Sequence, residues 1–150
     1  MRLFCRQLPR SAERHQSSLR LSAALLLDKV QQGGSLNTLY DEAQRDVDDS
    51  QRAFFKELVY GSLRLWPLYK GITRQLLEKP LKPKDNALEA LLIVALYELD
   101  ECTTPAYASV SAAVEVCHEL NRAWAAKLLN ACLRRYQRDC EALRAQLGDS

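Results

Sequence analysis

The hydrophobic pattern is strongest between Asn86 and Glu101, where eight consecutive apolar residues run from Ala90 to Tyr97. The leucines of this stretch keep helical spacing: Leu88, Leu91, Leu92, Leu96 and Leu99. Because the middle of such a helix has no polar side, it should be buried on every face. The run is shorter than the roughly 20 apolar residues that cross a bilayer. We therefore predict a buried central helix at about residues 84–101 and no membrane partner.

Amphipathic stripes and stop signals predict further helices on both sides of the central one. Before it, we expect helices from Ser18 to Gly33, from Leu36 to about Gln44 with Ser35 as its cap, and from Asp48–Ser50 to about Leu65. A fourth runs from Pro67 to about Glu78, and an extended connector covers Lys79–Pro83. After the central helix, we expect one from Pro105 to about Leu120 and one from Arg122, capped by Asn121, to about Gln137, with a continuation to Leu147. The fold class is all-α, with about seven helices.

Gly61 lies inside the third predicted helix, where glycine costs about 1 kcal/mol relative to alanine. Close approach by another helix backbone would explain it, and a kink is the alternative. We assign it a structural role, together with Leu96 and Tyr97 of the central helix.

Charge is distributed unevenly although the net charge is only +2. Residues 1–37 carry six bases against Glu13 and Asp28, and residues 122–138 carry five bases and no acid. In the second segment Lys127, Arg134 and Arg138 recur on one helical stripe, with Arg135 beside it. The two basic segments could form one patch or two separate solvated faces.

Chemistry for catalysis is missing from the sequence. There is no phosphate-binding glycine loop, and no nucleophile, base and orienting group occur in a suggestive arrangement. The five cysteines are odd in number and lack metal-site spacing, so we interpret them as structural thiols in a reducing, cytoplasmic compartment. We expect no catalytic residue, no metal and no cofactor, and therefore a binding domain rather than an enzyme.

Three segments are expected along the chain. Residues 1–17 form a flexible basic arm that either contacts RNA or is a disordered leader. Residues 18–147 form the helical domain, and residues 148–150 form a frayed end.

Four sequence segments resemble, in family order, the signatures of the NusB family. They are Phe55–Arg64 (FKELVYGSLR), Val94–Leu99 (VALYEL), Thr104–Glu115 with its TPAYA and AAVE motifs, and Lys127–Arg135 (KLLNACLRR). The last differs from the family pattern at Ala131, where glycine is usual. The resemblance implies a bundle of two packed helical groups that helps to hold RNA.

Two details resemble one branch of the family, the amino-terminal domain of RsmB-type ribosomal RNA cytosine-5 methyltransferases. They are the LVYGSLR run and the LEKPLKPKD connector, Leu77–Asp85. None of the five cysteines follows a proline, so the catalytic cysteine motifs of that branch do not match this chain. The resemblance implies a non-catalytic RNA-binding domain whose partner is small-subunit ribosomal RNA rather than DNA. The alternatives are a stand-alone antitermination factor that binds RNA together with a ribosomal protein, and a helical domain that contacts only protein.

The resemblance also implies which residues meet RNA. The positions that match the family's RNA-binding regions are Arg14, Arg20, Lys127, Asn130, Arg134 and Arg135, and Arg138 extends their stripe. Tyr60 and Tyr107 could stack on bases if they are exposed, whereas Tyr136 falls on the core side of its helix.

Overall fold

The computed structural model describes residues 19–148, and this part of the chain is all-helical. The predicted arm with Arg14, as well as Asp149 and Ser150, lies outside the described residues. The helices are α1 (19–31), α2 (Leu36–Gln44), α3 (Arg52–Arg64), α4 (Trp66–Leu76), α5 (Asn86–Glu101), α6 (Ala106–Glu119) and α7 (Ala125–Gly148). None of them is long and apolar enough to cross a membrane.

Helix α5 is the buried centre of the bundle, as the apolar run predicts. Every residue from Ala90 to Glu98 is buried. Helices α3, α4, α6 and α7 all pack against α5. On one side α2 packs on α3 through Tyr40 and Phe55, and on the other α7 packs on both α4 and α6. The predicted all-α bundle around a central helix is therefore confirmed.

Gly61 lets α3 approach the ring of Tyr97 on α5. A Cβ atom at Gly61 would lie 2.1 Å from Cζ of Tyr97, a distance that no side-chain carbon tolerates. The sequence predicted close approach by a helix backbone, and this detail is wrong because the neighbour is an aromatic ring. Helix α3 continues unbroken to Arg64, so the kink is excluded.

The turn between α6 and α7 differs from its prediction. Asn121 does not cap α7: it has a φ of +58° and ends α6 instead. The N–H of Asn121 donates to the carbonyl of His118, and the N–H of Arg122 donates to that of Cys117. This is the Schellman arrangement, in which a left-handed residue satisfies the last helical carbonyls. Asparagine tolerates that conformation better than most residues, and α7 consequently begins three residues later than predicted, at Ala125.

Other helix ends follow local chemistry. Ser35 caps α2 by accepting from the Thr38 N–H, as predicted. Helix α4 ends at Leu76, two residues early, and no threonine side chain caps α6. Helix α7 includes Gly148, which was expected to fray, although its backbone leaves helical geometry at Asp139.

Beyond Asp139, α7 is held against α4 and α5 by a polar cluster centred on Asp100. One carboxylate oxygen, Oδ2 of Asp100, accepts from the Tyr69 hydroxyl at 2.7 Å and the Tyr136 hydroxyl at 2.6 Å. The guanidinium of Arg144 donates to the same oxygen and to the Tyr136 hydroxyl. Leu143 is buried nearby, and its carbonyl accepts from Gln75 at 3.1 Å. These contacts fix α7 to α4, and so fix the surfaces between them.

Candidate nucleic-acid interface

The basic residues predicted on α7 are exposed, but they face two different grooves. Lys127, Arg134, Arg135 and Arg138 are all exposed, and Asn130 is half-buried. Lys127, Asn130 and Arg134 line a groove between α6 and α7. Arg135 lines a second groove on the other side of α7. The exposed surface of α7 is therefore a ridge between two grooves, a division that the stripe pattern did not reveal.

The first of these, the α6–α7 groove, encloses about 570 Å³. Its floor is apolar and is made by Val110, Val114 and Ala126. Lys127, Arg134 and amide groups form its rim, and no carboxylate lines it. Tyr107, 80 % exposed, lies at its edge. Arg134 donates from Nε to Oδ1 of Asn130 at 3.3 Å, so that asparagine helps to orient the guanidinium.

The second, which we call the connector groove, is larger, at about 890 Å³. It runs between the segment that joins α4 to α5 and the start of α7. Its basic residues are Lys79, Lys82, Lys84, Arg122 and Arg135. Trp124 also lines it and is 57 % exposed.

An ion pair between buried Asp85 and half-buried Arg122 holds the two walls of the connector groove together. Asp85 is only 5 % exposed, and its Oδ1 accepts from Nε of Arg122 at 2.8 Å. Arg122 also donates to the backbone carbonyls of Leu120 and Asn121. The pair thus joins the connector to the α6–α7 turn. Because Arg122 is committed to this link, the cations left facing the groove are the three lysines and Arg135.

The sequence interpretation missed Trp124 and the connector lysines as functional candidates. The three lysines lie in the run K-P-L-K-P-K, which the sequence predicts as an extended connector and which resembles one branch of the family, but its charge was not interpreted. A cluster of cations in a proline-containing segment between two predicted helices was the available signal. The sequence signal at Trp124 was weaker: it is a large aromatic residue directly before Ala125, the first buried residue of α7.

Arg135 and Arg138 share a carboxylate, that of Asp139 at the break in α7. Nε of Arg138 lies 3.4 Å from Oδ1 of Asp139, and Nε of Arg135 lies 3.9 Å from Oδ2. Arg135 also donates from Nη1 to the carbonyl of Gln75 at 3.3 Å. In contrast, Lys127 and Arg134 have no carboxylate partner among the described residues.

Arg20 does not belong to this surface. It is 5 % exposed, and its guanidinium binds Glu98 of α5 through two hydrogen bonds, of 2.8 and 2.6 Å. Glu98 is fully buried, and the charge of Arg20 compensates it. The predicted RNA contact at this position is therefore corrected to an ion pair inside the bundle, because the guanidinium is buried and doubly bonded to Glu98.

Of the three aromatic candidates, Tyr136 lies in the core as predicted, and Tyr60 and Tyr107 lie on different surfaces. Tyr136 is 1 % exposed and belongs to the Asp100 cluster, so it cannot stack on a base. Tyr60 is 36 % exposed but lies on α3 and contacts Tyr40 edge to face. Of the three tyrosines considered, only Tyr107 lies beside the basic residues of α7.

The described cysteines are free thiols: Cys117 and Cys132 are buried, and Cys102 and Cys140 are half-buried. Burial, reinforced by the neighbouring Glu57 carboxylate, raises the pKa of Cys102 to about 12. Burial raises the pKa of Cys117 to about 11 and also raises that of Cys132. These thiols stay protonated at neutral pH, which is the opposite of an activated nucleophile. Within residues 19–148, no group of His, Cys, Asp and Glu side chains could hold a metal ion.

Comparison with known proteins gives a consistent result. The chain is 38 % identical over 122 residues to ribosomal RNA small subunit methyltransferase B of Vibrio vulnificus, covering 81 % of this chain and 29 % of that protein. The homonymous proteins of Erwinia tasmaniensis and Xanthomonas campestris are 35 % and 42 % identical, over 89 % and 80 % of this chain and 31 % and 28 % of their own lengths. The chain thus spans less than a third of these relatives. The sequence profile of the NusB family matches residues 17–138, and the chain belongs to that family.

Proposed function

We propose that this chain is a non-catalytic RNA-binding domain of a ribosomal RNA cytosine-5 methyltransferase. The observation that carries the proposal is the connector groove, which combines three lysines and Arg135 with the exposed indole of Trp124. Lysine and arginine neutralise phosphates, and an exposed aromatic ring stacks on an unpaired base. Binding of an apolar protein surface would not use the positive charges of these lysines.

The predicted contacts on the ridge and in the α6–α7 groove extend the proposed surface. Lys127, Arg134 and Arg138 would bind phosphates on this side of α7, with Asn130 orienting Arg134. Tyr107 is placed to contact a base. An RNA strand that crosses α7 from one groove to the other would contact Arg135.

The substrate is inferred from the relatives. Their name refers to methylation of small-subunit ribosomal RNA, and we propose the same RNA, in the cytoplasm, as the partner of this chain. The raised thiol pKa values support a role in binding rather than in chemistry. Methyl transfer would then require residues that the longer relatives carry outside the matched region.

The test is a titration of fluorescein-labelled single-stranded RNA, followed by anisotropy at several salt concentrations. Replacing Lys82, Lys84 and Arg135 with alanine should weaken binding and reduce the salt slope by about 2, at roughly 0.7 per phosphate contact on single strands. The matched control replaces three exposed cations, Arg45 directly after α2 and Lys56 and Arg64 on α3, and so changes the net charge equally. Equal losses in the two triple variants would refute a localised site.

A second triple variant tests the other side of α7. Replacing Lys127, Arg134 and Arg138 with alanine should also lower the salt slope of RNA binding, and unchanged binding would exclude this side of α7 from the RNA-binding surface.

Quenching of Trp124 fluorescence by RNA, compared with the Trp66 signal left in Trp124→Phe, reports stacking in the connector groove. The alternative antitermination function predicts that a small-subunit ribosomal protein raises RNA affinity, and no such gain is expected here.

A further inference from the structure

The carboxylate of Asp139 interrupts the positive surface of α7 at one point. Among the described residues, it is the only acidic side chain that forms an ion pair with the predicted RNA-binding arginines of α7, and it contacts two of them, Arg135 and Arg138. All three side chains are partly exposed, at 45 %, 69 % and 39 % for Arg135, Arg138 and Asp139. A solvent-exposed pair of this kind is weak enough to open for a competing anion.

The backbone at Asp139 is what allows one carboxylate to reach both arginines. Residues one position apart on a regular helix do not face each other, whereas residues four apart do. Asp139 has φ −113° and ψ 23°, outside helical geometry. Its side chain consequently meets Arg138, its direct neighbour, as well as Arg135, one turn earlier.

We infer that Asp139 is an internal competitor for phosphate, which holds Arg135 and Arg138 until an RNA backbone displaces it. The inference rests on the proposed function and concerns the strength and selectivity of the same surface. Arg135 keeps its hydrogen bond to the carbonyl of Gln75 when the carboxylate leaves, so its guanidinium stays at the edge of the connector groove. A ligand with two suitably spaced phosphates can bind both arginines at once and so displace the carboxylate of Asp139. A single anion binds only one arginine at a time and competes less well with Asp139.

The test compares Asp139→Asn with Glu141→Gln. Both remove one negative charge from the end of α7, but Glu141 is exposed and forms no ion pair with another described residue. Asp139→Asn should bind single-stranded RNA about two- to fivefold more tightly at low salt, the range expected for release from an exposed ion pair. The gain should shrink above about 0.1 M salt because the released charges are screened. Glu141→Gln should change affinity by less than about 1.5-fold, since Glu141 forms no ion pair with either arginine.

Two further measurements make the result decisive. In a background with Arg135→Ala and Arg138→Ala, Asp139→Asn should give no gain, and a persistent gain would overturn the inference. Elution from immobilised heparin reports anion binding without depending on RNA recognition. Later elution of Asp139→Asn than of Glu141→Gln would support the inference by itself. If the wild-type protein then failed to bind RNA, that result would refute only the proposed function. Equal elution and equal RNA affinity of the two variants would refute the inference itself, with circular dichroism confirming that both are folded.

Discussion

Removing only one partner of the buried ion pair between Arg20 and Glu98 should strongly destabilise the fold. Glu98 is fully buried, and both of its carboxylate oxygens accept from Arg20. Arg20→Met keeps most of the side-chain volume, including packing near the Phe54 ring, 5.5 Å from the guanidinium. The variant leaves a carboxylate without its cation in the core, and such a loss costs about 3–5 kcal/mol.

That magnitude is a large part of the total stability of a domain, which is on the order of 5–15 kcal/mol. We expect the melting temperature of Arg20→Met to fall by roughly 10 °C, since 1 kcal/mol corresponds to about 3 °C at this size. The double variant Arg20→Met, Glu98→Leu should recover most of the loss because no charge remains buried. As a control, Arg52→Met breaks the exposed pair with Asp49 and should cost less than about 1 kcal/mol.

The assay is urea unfolding followed by circular dichroism, together with RNA anisotropy on each folded variant. A loss below about 1 kcal/mol in Arg20→Met would show that water reaches Glu98 and would refute the argument. If the stable double variant bound RNA severalfold more weakly, Arg20 would be an RNA contact after all, as the sequence pattern suggested. We expect its RNA affinity to equal that of wild type.

Three more predictions concern the core. Gly61→Ala should destabilise the fold by about 1–2 kcal/mol, because the cost of overpacking against Tyr97 exceeds the gain of about 1 kcal/mol in helix propensity. This cost should vanish in a Tyr97→Leu background, which a double-mutant cycle of unfolding free energies would measure. Burial and the Asp100 carboxylate raise the pKa of both Tyr69 and Tyr136, so above about pH 10 the unfolded chain releases protons that the folded chain keeps. The free energy of unfolding should therefore fall with rising pH there, and Tyr69→Phe should remove about 1.4 kcal/mol per pH unit from that slope; an unchanged slope would contradict the assignment. Cys102 and Cys117 should resist alkylation by iodoacetamide at pH 8 in the native protein and react fully in urea, as mass spectrometry can test.

The sequence predicts most of the fold because its strongest signals are local. The apolar run of α5 admits only one placement, at the centre of the bundle. Ser35 marks the start of α2 for a similarly local reason. At Asn121 two local rules compete, since asparagine both caps helix starts and tolerates the left-handed conformation. The hydrogen bonds from Asn121 and Arg122 to α6 decide between them, and they cannot be read from side-chain identity.

The candidate site is less predictable because its parts are distant in sequence. The cations of α7 share one helix, so their periodicity makes them visible. The connector groove brings Lys82 and Lys84 beside Arg135, which is about fifty residues away, through the pair of Asp85 with Arg122. Arg20 shows the same limit in reverse: its residue type suggests the surface, and Glu98, 78 positions later, buries it.

The complete burial of α5 has a consequence for biosynthesis. When Glu101 emerges from the ribosome, α3 and α4 are already outside it, whereas α6 and α7 have not yet emerged. The apolar faces of α5 that α6 and α7 cover therefore stay open until roughly forty more residues are translated, out to Leu143. At synthesis speeds of about 5–20 residues per second this takes seconds, long enough for aggregation or for capture by a chaperone that binds apolar segments. Nascent chains that have emerged as far as residues 101 to 125 should accordingly be the ones most dependent on such help, and chains that have emerged past Leu143 the least.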